Sequence, residues 1–122
     1  MMKGLRTTIY RVSNMNAAKG WYSIAFDVEP YFDEPFYIGF NVGGYELGLQ
    51  PEEEGESGHK LPSVISYWAT DNVQGEFDKL IRIGAKSHEK PMNVGGELIV
   101  ASVYDPWGNV VGLIYNPSFT LG

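Results

Sequence analysis

The fold is decided by residues 100–115, which read VASVYDPWGNVVGLIY. Two runs rich in β-branched and aromatic residues flank the turn sequence Asp-Pro-Trp-Gly at 105–108. Pro106 presets φ at the second turn position, and Gly108 can adopt the positive φ that a bulged hairpin requires. The stretch therefore predicts an antiparallel hairpin in which Asp105 faces Asn109.

The residue pairs of this hairpin follow from a bulge at Gly108, because each strand then continues in a set register. Counted outward from the turn, the pairs are Tyr104 with Val110, Val103 with Val111, Ser102 with Gly112, and Val100 with Ile114. Side chains alternate between the two faces of a strand, so one face is apolar and the other is mixed. The apolar face carries Val103, Val111, Leu113 and Tyr115, and the mixed face carries Ser102, Tyr104, Val110, Gly112 and Ile114.

The composition narrows the class of protein. The chain has 122 residues, enough for one domain with its own core, and it has no cysteine. Asp and Glu number 15 against 9 Lys and Arg, and an acidic chain repels phosphate backbones while it attracts cationic ligands. Neither a signal peptide nor the run of about 20 apolar residues that spans a membrane is present. We therefore expect a cytoplasmic protein that binds neither nucleic acid nor membranes.

The first half of the chain reads as a strand, a helix and two further strands. Residues 5–12 alternate and are rich in β-branched and aromatic side chains, which predicts a strand. Ser13-Asn14 supplies an N-cap, and a helix with an apolar stripe follows and ends before Pro30. The stripe consists of Met15, Ala18, Trp21, Tyr22, Ala25 and Phe26. The remaining predictions are a connection at 31–34, strands at 36–42 and 45–50, and a two-residue turn at Gly43-Gly44.

The same pattern begins again after Pro62. Residues 63–69 predict a strand, Asp71-Asn72 predicts an N-cap with Gln74 completing a capping box, and Gly84 predicts a C-cap. The helical stripe consists of Val73, Phe77, Leu80 and Ile81, and extended segments follow at 86–90, 98–104 and 110–115. The chain is therefore predicted to be one domain, residues 1–122, made of two tandem βαβββ halves, about 4–51 and 63–117, joined by an acidic linker at 52–62. A recurring Asn-Val-Gly-Gly at 41–44 and 93–96 is out of register with this repeat, and we interpret it as chance.

Two such halves define an α+β fold in which curved mixed sheets carry helices on one face and surround a cleft with the other. Two motifs resemble those of a known family. Residues 12–15, Val-Ser-Asn-Met, followed by Trp21-Tyr22, are similar to its Val-x-Asp-Leu and aromatic-Tyr pair, and residues 105–109 are similar to its late Asp-Pro-Asp-Gly-Asn turn. Over nearly its whole length, the chain resembles the glyoxalase, bleomycin-resistance protein and extradiol dioxygenase superfamily, also called vicinal oxygen chelate proteins.

The resemblance implies four positions at which enzyme members hold one divalent metal through His, Gln or Glu. Matched one at a time, these positions fall on Thr7, Gly48, Ile65 and Gly112. A hydroxyl, an apolar side chain and two glycines are poor metal ligands, so we expect no metal and no other cofactor. We also expect His59, in the linker, and His88, in a strand predicted to be exposed, to be surface residues without a ligand role.

Strand parity predicts which side chains line the cleft. They are Thr7, Ile9, Tyr37, Asn41, Glu46, Gln50, Ile65, Tyr67, Ser102 and Tyr104. Apolar and aromatic residues with a few polar groups are typical of a small-molecule site. The antibiotic-sequestering members of the family also lack metal ligands and bind cationic or aromatic drugs between two subunits. The first hypothesis is therefore a metal-free homodimer that binds a small aromatic or cationic molecule, with antibiotic sequestration as one role.

Two other hypotheses stay open. The chain could be a lyase, isomerase or dioxygenase of the same superfamily, either with a displaced metal site that uses Glu46 or Gln50, or without metal and with Glu46 as a base. Alternatively, it could be a structural or regulatory domain whose cleft is filled by its own tyrosines, since Tyr37, Tyr67 and Tyr104 share the cleft side by parity. The sequence leaves enzymatic activity undecided, with the missing metal ligands against it.

Overall fold

The computed structural model describes residues 1, 3, 5–52 and 65–117, and the chain divides into two compact units, Met1–Lys60 and Leu61–Gly122. The first unit contains β1 (Thr7–Val12), α1 (Met15–Phe26), β2 (Phe32–Glu34), β3 (Tyr37–Val42) and β4 (Tyr45–Pro51). The second unit contains β5 (Ser66–Ala69), α2 (Val73–Arg82), β6 (Lys86–Gly95), β7 (Leu98–Tyr104) and β8 (Val110–Tyr115). Both units have the predicted βαβββ order. Neither helix of this described part is long and apolar enough to cross a membrane.

Each unit has a four-stranded mixed sheet with the same topology. The strand orders are β1-β4-β3-β2 and β5-β8-β7-β6. The first strand of each unit pairs in parallel with the last, and the other neighbours pair antiparallel. The helix covers one face of the sheet in its own unit, which makes the fold α+β as predicted. The opposite face of each sheet is called its open face below.

The core of the first unit lies between α1 and the sheet. Tyr22 is fully buried and stacks on Tyr10 with ring centroids 5.6 Å apart. The helix begins where the Asn14 side chain accepts a hydrogen bond from the Ala17 N–H, as an N-cap requires. It ends at Asp27, whose left-handed backbone (φ 53°) turns the chain away before the proline that follows.

The second helix begins at the predicted Asp71-Asn72 pair but lacks the predicted capping box. Asn72, and not Asp71, accepts the hydrogen bond from the Gly75 N–H, and Gln74 donates to Asp78 one turn later instead of completing a capping box. Gly84 (φ 113°) ends the helix as predicted. The N–H groups of residues 84 and 85 bond back to the carbonyls of residues 81 and 80, the pattern of a Schellman motif.

The hairpin at 100–115 forms in the predicted register. Asp105 donates its N–H to the Asn109 carbonyl, Gly108 has φ 88°, and the β7–β8 partners are those deduced from the sequence. The buried Asp105 carboxylate accepts hydrogen bonds from the backbone N–H of Trp107 and from both the backbone and side-chain N–H of Asn109. An Asx turn therefore supports the bulge.

Several boundaries differ from prediction, and β1 and β3 begin at Thr7 and Tyr37 instead of at residues 5 and 36. The predicted connection at 31–34 contains strand β2, which is wholly exposed and too short to show an alternation. Strand β6 continues past residue 90 to Gly95, and shifts in its pairing with β7 interrupt the alternation that reveals a strand. Ile65 lies before β5 and not within it, and Pro51 belongs to β4. Residues 53–64, which include most of the predicted linker and His59, lie outside the described residues.

The two Asn-Val-Gly-Gly segments occupy different places in the repeat, and both lie at turns. Asn41 accepts a hydrogen bond from the Gly44 N–H in the β3–β4 turn, and Asn93 accepts one from the Gly95 N–H in the β6–β7 turn. Glycines at both turns have positive φ. In both places the segment supplies residues that turns favour, Asn as a side-chain acceptor and Gly for positive φ.

Candidate functional site

The open face of the first unit brings three of the predicted site residues into one row. Glu46 is the register partner of Thr7 in the parallel pair and of Asn41 in the antiparallel pair. Side chains of directly paired residues point to the same face, so these three lie side by side. Gln50 lies four residues further along the same face of β4, opposite Arg11.

Glu46 is held by two tyrosines on this face. The Tyr31 hydroxyl donates to Oε1 and the Tyr37 hydroxyl donates to Oε2. The hydrogen bond to Glu46, followed by desolvation and the charge of Glu46, raises the pKa of Tyr31. Burial is the first cause that raises the pKa of Tyr37, and the hydrogen bond to Glu46 is the second. Since a carboxylate offers about four lone-pair sites, Glu46 can still accept bonds from a ligand.

The glycines on the open faces do not leave empty space. A Cβ atom at Gly48 would lie 2.7 Å from Tyr37 Cζ, and one at Gly112 would lie 2.6 Å from Tyr67 Cδ1. Tyrosine rings therefore cover both glycine positions. Tyr37 and Tyr67 therefore occupy part of the open faces, as the hypothesis of a cleft filled by its own tyrosines requires.

These contacts bear on the metal that the family resemblance implies. Of its four positions, Gly48 and Gly112 lie under tyrosine rings, Ile65 is apolar, and Thr7 offers one neutral hydroxyl. In the described ranges, no group of three or more His, Asp or Glu side chains is arranged to hold a metal ion. The residues at these positions do not fit the divalent metal site of the enzyme members.

A surface groove of about 390 Å³ lies beside the Glu46 carboxylate. It is lined by Tyr31, Asn41, Gly44, Tyr45 and Glu46. Tyr31 is 63% exposed, and Tyr45 is also exposed. The groove therefore presents one carboxylate, one amide and two accessible aromatic rings.

The open face of the second unit carries the remaining predicted site residues. Gly112 is the register partner of both Tyr67 and Ser102, so these two lie on one row, and Tyr104 lies two residues from Ser102 on the same face. Ser102 is only 1% exposed, whereas Tyr67 is exposed. Ile65 is half-buried.

His88 is not the surface residue that the sequence predicts. Its side chain is 26% exposed, and its Nδ1 lies 2.7 Å from Ser102 Oγ. The ring packs edge-on against Tyr104 with centroids 4.8 Å apart, and Glu89 Oε1 lies 3.6 Å from Nδ1. The β6–β7 register shifts between Ser87 and Glu89, so simple alternation assigns His88 to the wrong environment.

Sequence reasoning therefore missed Tyr31, Tyr45, His88 and Glu89. One signal for Tyr31 was present in the chain, because Gly39 lies on the same strand face as Glu46 and a strand glycine leaves space for a neighbouring aromatic ring. A Cβ at Gly39 would lie 3.1 Å from the Tyr31 ring. No comparable local signal marks His88.

The two βαβββ units, each with a helix on one sheet face, define a glyoxalase-like α+β protein. A model of the Glyoxalase/Bleomycin resistance protein/Dioxygenase superfamily matches residues 4–113. The chain belongs to this superfamily.

Several solved structures have a similar fold. A glyoxalase-related enzyme from Fulvimarina pelagi has a TM-score of 0.80 at 17% identity, with 99% of this chain and 94% of that chain covered. A glyoxalase/bleomycin resistance protein/dioxygenase family enzyme from Burkholderia phytofirmans PsJN has a TM-score of 0.72 at 18% identity, with 93% and 98% covered. Lactoylglutathione lyase from Agrobacterium tumefaciens has a TM-score of 0.73 at 16% identity, with 97% and 98% covered. Identities this low show the fold alone, and a comparison with curated proteins gave no match.

Proposed function

We propose that the protein binds a small organic cation with an aromatic part, without a metal, in the groove beside Glu46. One observation carries the proposal: the Glu46 carboxylate, oriented by the hydroxyls of Tyr31 and Tyr37, lines a groove together with the exposed rings of Tyr31 and Tyr45. Both tyrosines that hold Glu46 have a raised pKa, so they keep their protons at neutral pH and can donate them in hydrogen bonds to its side chain.

This combination suits a cation better than an anion or a neutral sugar. A cation over an aromatic face gains about 0.5–1 kcal/mol when exposed and about 2 kcal/mol when desolvated. The chain as a whole has a formal net charge of −6, which raises the local concentration of cations. Contacts of this size support binding in the micromolar range.

Other predicted site residues enter the proposal as further ligand contacts. Thr7 and Asn41 flank Glu46, and Gln50 lies further along the same face. A drug-like aromatic cation fits this description, so sequestration of an antibiotic is the biological role that we favour. The family name includes bleomycin resistance, and bleomycin is a reasonable second probe.

The test is calorimetric titration with ethidium, a flat aromatic cation, and with phenanthridine, its uncharged core. We expect ethidium to bind with a Kd in the micromolar range and phenanthridine to bind at least about tenfold more weakly, a difference of about 1.4 kcal/mol. Glu46→Gln should weaken ethidium binding at least about tenfold, because it removes the charge and keeps the shape.

The matched control is Glu97→Gln, which removes the same charge at an exposed turn position of the second unit. Glu97→Gln should leave ethidium binding unchanged. The proposal is wrong if ethidium does not bind to the wild-type protein, or if the two glutamate variants behave alike.

A further inference from the structure

A cluster of side chains that can donate and accept protons, His88, Glu89 and Ser102, lies on the open face of the second unit. Ser102 Oγ lies 2.7 Å from His88 Nδ1 and 3.4 Å from Glu89 Oε1. His88 Nδ1 and Glu89 Oε1 are 3.6 Å apart. The Tyr104 ring packs against the imidazole and restricts its rotation. This cluster is made by β6 and β7 alone and does not involve Glu46 or its groove.

The contacts of the cluster favour one of the two imidazole tautomers of His88. A carboxylate can only accept, so the Ser102 hydroxyl donates to Glu89 and its oxygen is left to accept from His88 Nδ1–H. The opposite tautomer would point the Nδ1 lone pair toward the Glu89 carboxylate, which is electrostatically unfavourable. Ser102 and Glu89 therefore act as positioning residues that leave Nε2 as the basic nitrogen.

We propose that Nε2 of His88 is the base of a second binding site, which accepts a proton from a weakly acidic O–H or N–H group of a small molecule. The proton moves from the ligand oxygen or nitrogen to Nε2, and the ligand retains the bonding electron pair as an anion. The imidazolium that forms has Glu89 beside its other nitrogen, and this carboxylate stabilises the new positive charge. Among the residues that the structure describes, none accepts from or donates to Nε2.

The surroundings favour an aromatic acid as the ligand. Tyr104 forms one wall beside His88, and the exposed ring of Tyr67 lies on the same face across Gly112. Aromatic side chains next to a hydrogen-bonding group are typical of sites that bind planar molecules. This inference is independent of the cation site, because the residues of the two sites belong to different units.

The experiment uses 4-nitrophenol, whose absorption moves to longer wavelength when it loses its proton. The probe is mixed with the full chain in a buffer in which the free phenol is mostly protonated. We expect the wild-type protein to generate a saturable phenolate band, and His88→Gln to reduce that band at least about tenfold. His59→Gln, which changes the other histidine of the chain, should behave like the wild type.

A spectroscopic measurement tests the positioning role separately. Long-range proton–nitrogen NMR spectra distinguish the two imidazole tautomers of His88. The wild-type protein should show the Nδ1–H form, and Ser102→Ala, a nearly isosteric change, should shift the population toward Nε2–H. A wild-type His88 in the Nε2–H form, no phenolate band with the wild type, or an undiminished band with His88→Gln would each overturn the proposal.

Discussion

Glycine residues on the open faces of both sheets are paired with tyrosines. Tyr31 covers Gly39, Tyr37 covers Gly48, and Tyr67 covers Gly112. A glycine in a strand has no side chain with which to shield the sheet, and an aromatic ring from a neighbouring residue supplies that cover. Gly48 and Gly112 are also two of the positions at which the family resemblance implies a metal ligand, and here tyrosine rings pack over both.

Tyr31 and Tyr37 make the stability of the fold sensitive to high pH. An unfolded tyrosine loses its proton near pH 10, whereas in the folded chain the pKa of both residues is raised. Below about pH 10 the folded and the unfolded chain both hold these protons, and the two tyrosines make their full contribution to the free energy of unfolding. Above it the unfolded chain binds fewer protons than the folded chain, so the free energy of unfolding falls as pH rises. Urea unfolding followed between about pH 9 and 11 should show this decline.

Glu46→Gln should make that decline less steep. The variant removes the acceptor that is the main cause of the Tyr31 shift and the second cause of the Tyr37 shift. Glu97→Gln serves as the control and should keep the wild-type slope. Equal slopes for the wild type and Glu46→Gln would show that the carboxylate does not hold the two phenols.

Each helix contains a glycine, and the two glycines have different surroundings. Gly20 lies on the exposed side of α1, and a Cβ added there meets nothing within 4 Å. Gly75 lies in the first turn of α2, where a Cβ would approach Asn72 Cγ to 2.9 Å. The side chain that crowds Gly75 is the N-cap of the helix.

We therefore expect opposite effects from two alanine substitutions. Gly20→Ala should stabilise the protein by about 0.5–1 kcal/mol, because it restricts the unfolded chain and fills open space. Gly75→Ala should fail to stabilise it, because the methyl group displaces Asn72 and the loss of a cap costs about 1 kcal/mol. Chemical denaturation of both variants measures the difference. A similar gain in stability for both would contradict the assignment of Asn72 as the cap.

Large apolar side chains remain exposed on the molecule as a whole. They include Ile9, Phe32, Phe36, Tyr67 and Met92. The outer strands of the two sheets, β1 and β2 in the first and β5 and β6 in the second, each have one side unpaired within their sheet. Apolar groups and strand edges of this kind are commonly covered when a protein forms a symmetric dimer.

We accordingly predict that the protein is a homodimer at micromolar concentration. Sedimentation velocity should give the mass of two chains. On dilution the dimer should dissociate into single chains, and no other species should appear. Because apolar contacts would dominate, moderate added salt should leave the dimer intact. A mass of one chain throughout the micromolar range would refute the prediction.

The local elements of this protein were determined by its sequence. The turn at 105–109 depends on three groups within five residues, namely the Asx acceptor of Asp105, the restricted φ of Pro106 and the positive φ of Gly108. Interactions this short in sequence do not need the rest of the fold. The register of β7 with β8 was predictable for the same reason, and so were the apolar stripes of both helices, except that Ile81 of the second stripe is exposed. Asp71 and Asn72 are both good caps, and the capping box was wrongly predicted because Gln74 was counted from Asp71 whereas Asn72 is the cap.

The side-chain clusters were decided by the tertiary structure. Tyr31 and Glu46 are 15 residues apart, and His88 and Ser102 are 14 apart, so neither pair can be read from the alternation of one strand. Tyr31 reaches Glu46 only because its N–H bonds to the Gly39 carbonyl and extends the β2–β3 pairing. His88 reaches Ser102 only because the β6–β7 pairing shifts register at that point. The physical reason is that alternation determines the face of a side chain, whereas its partner depends on the register between strands and on the direction in which the side chain leans.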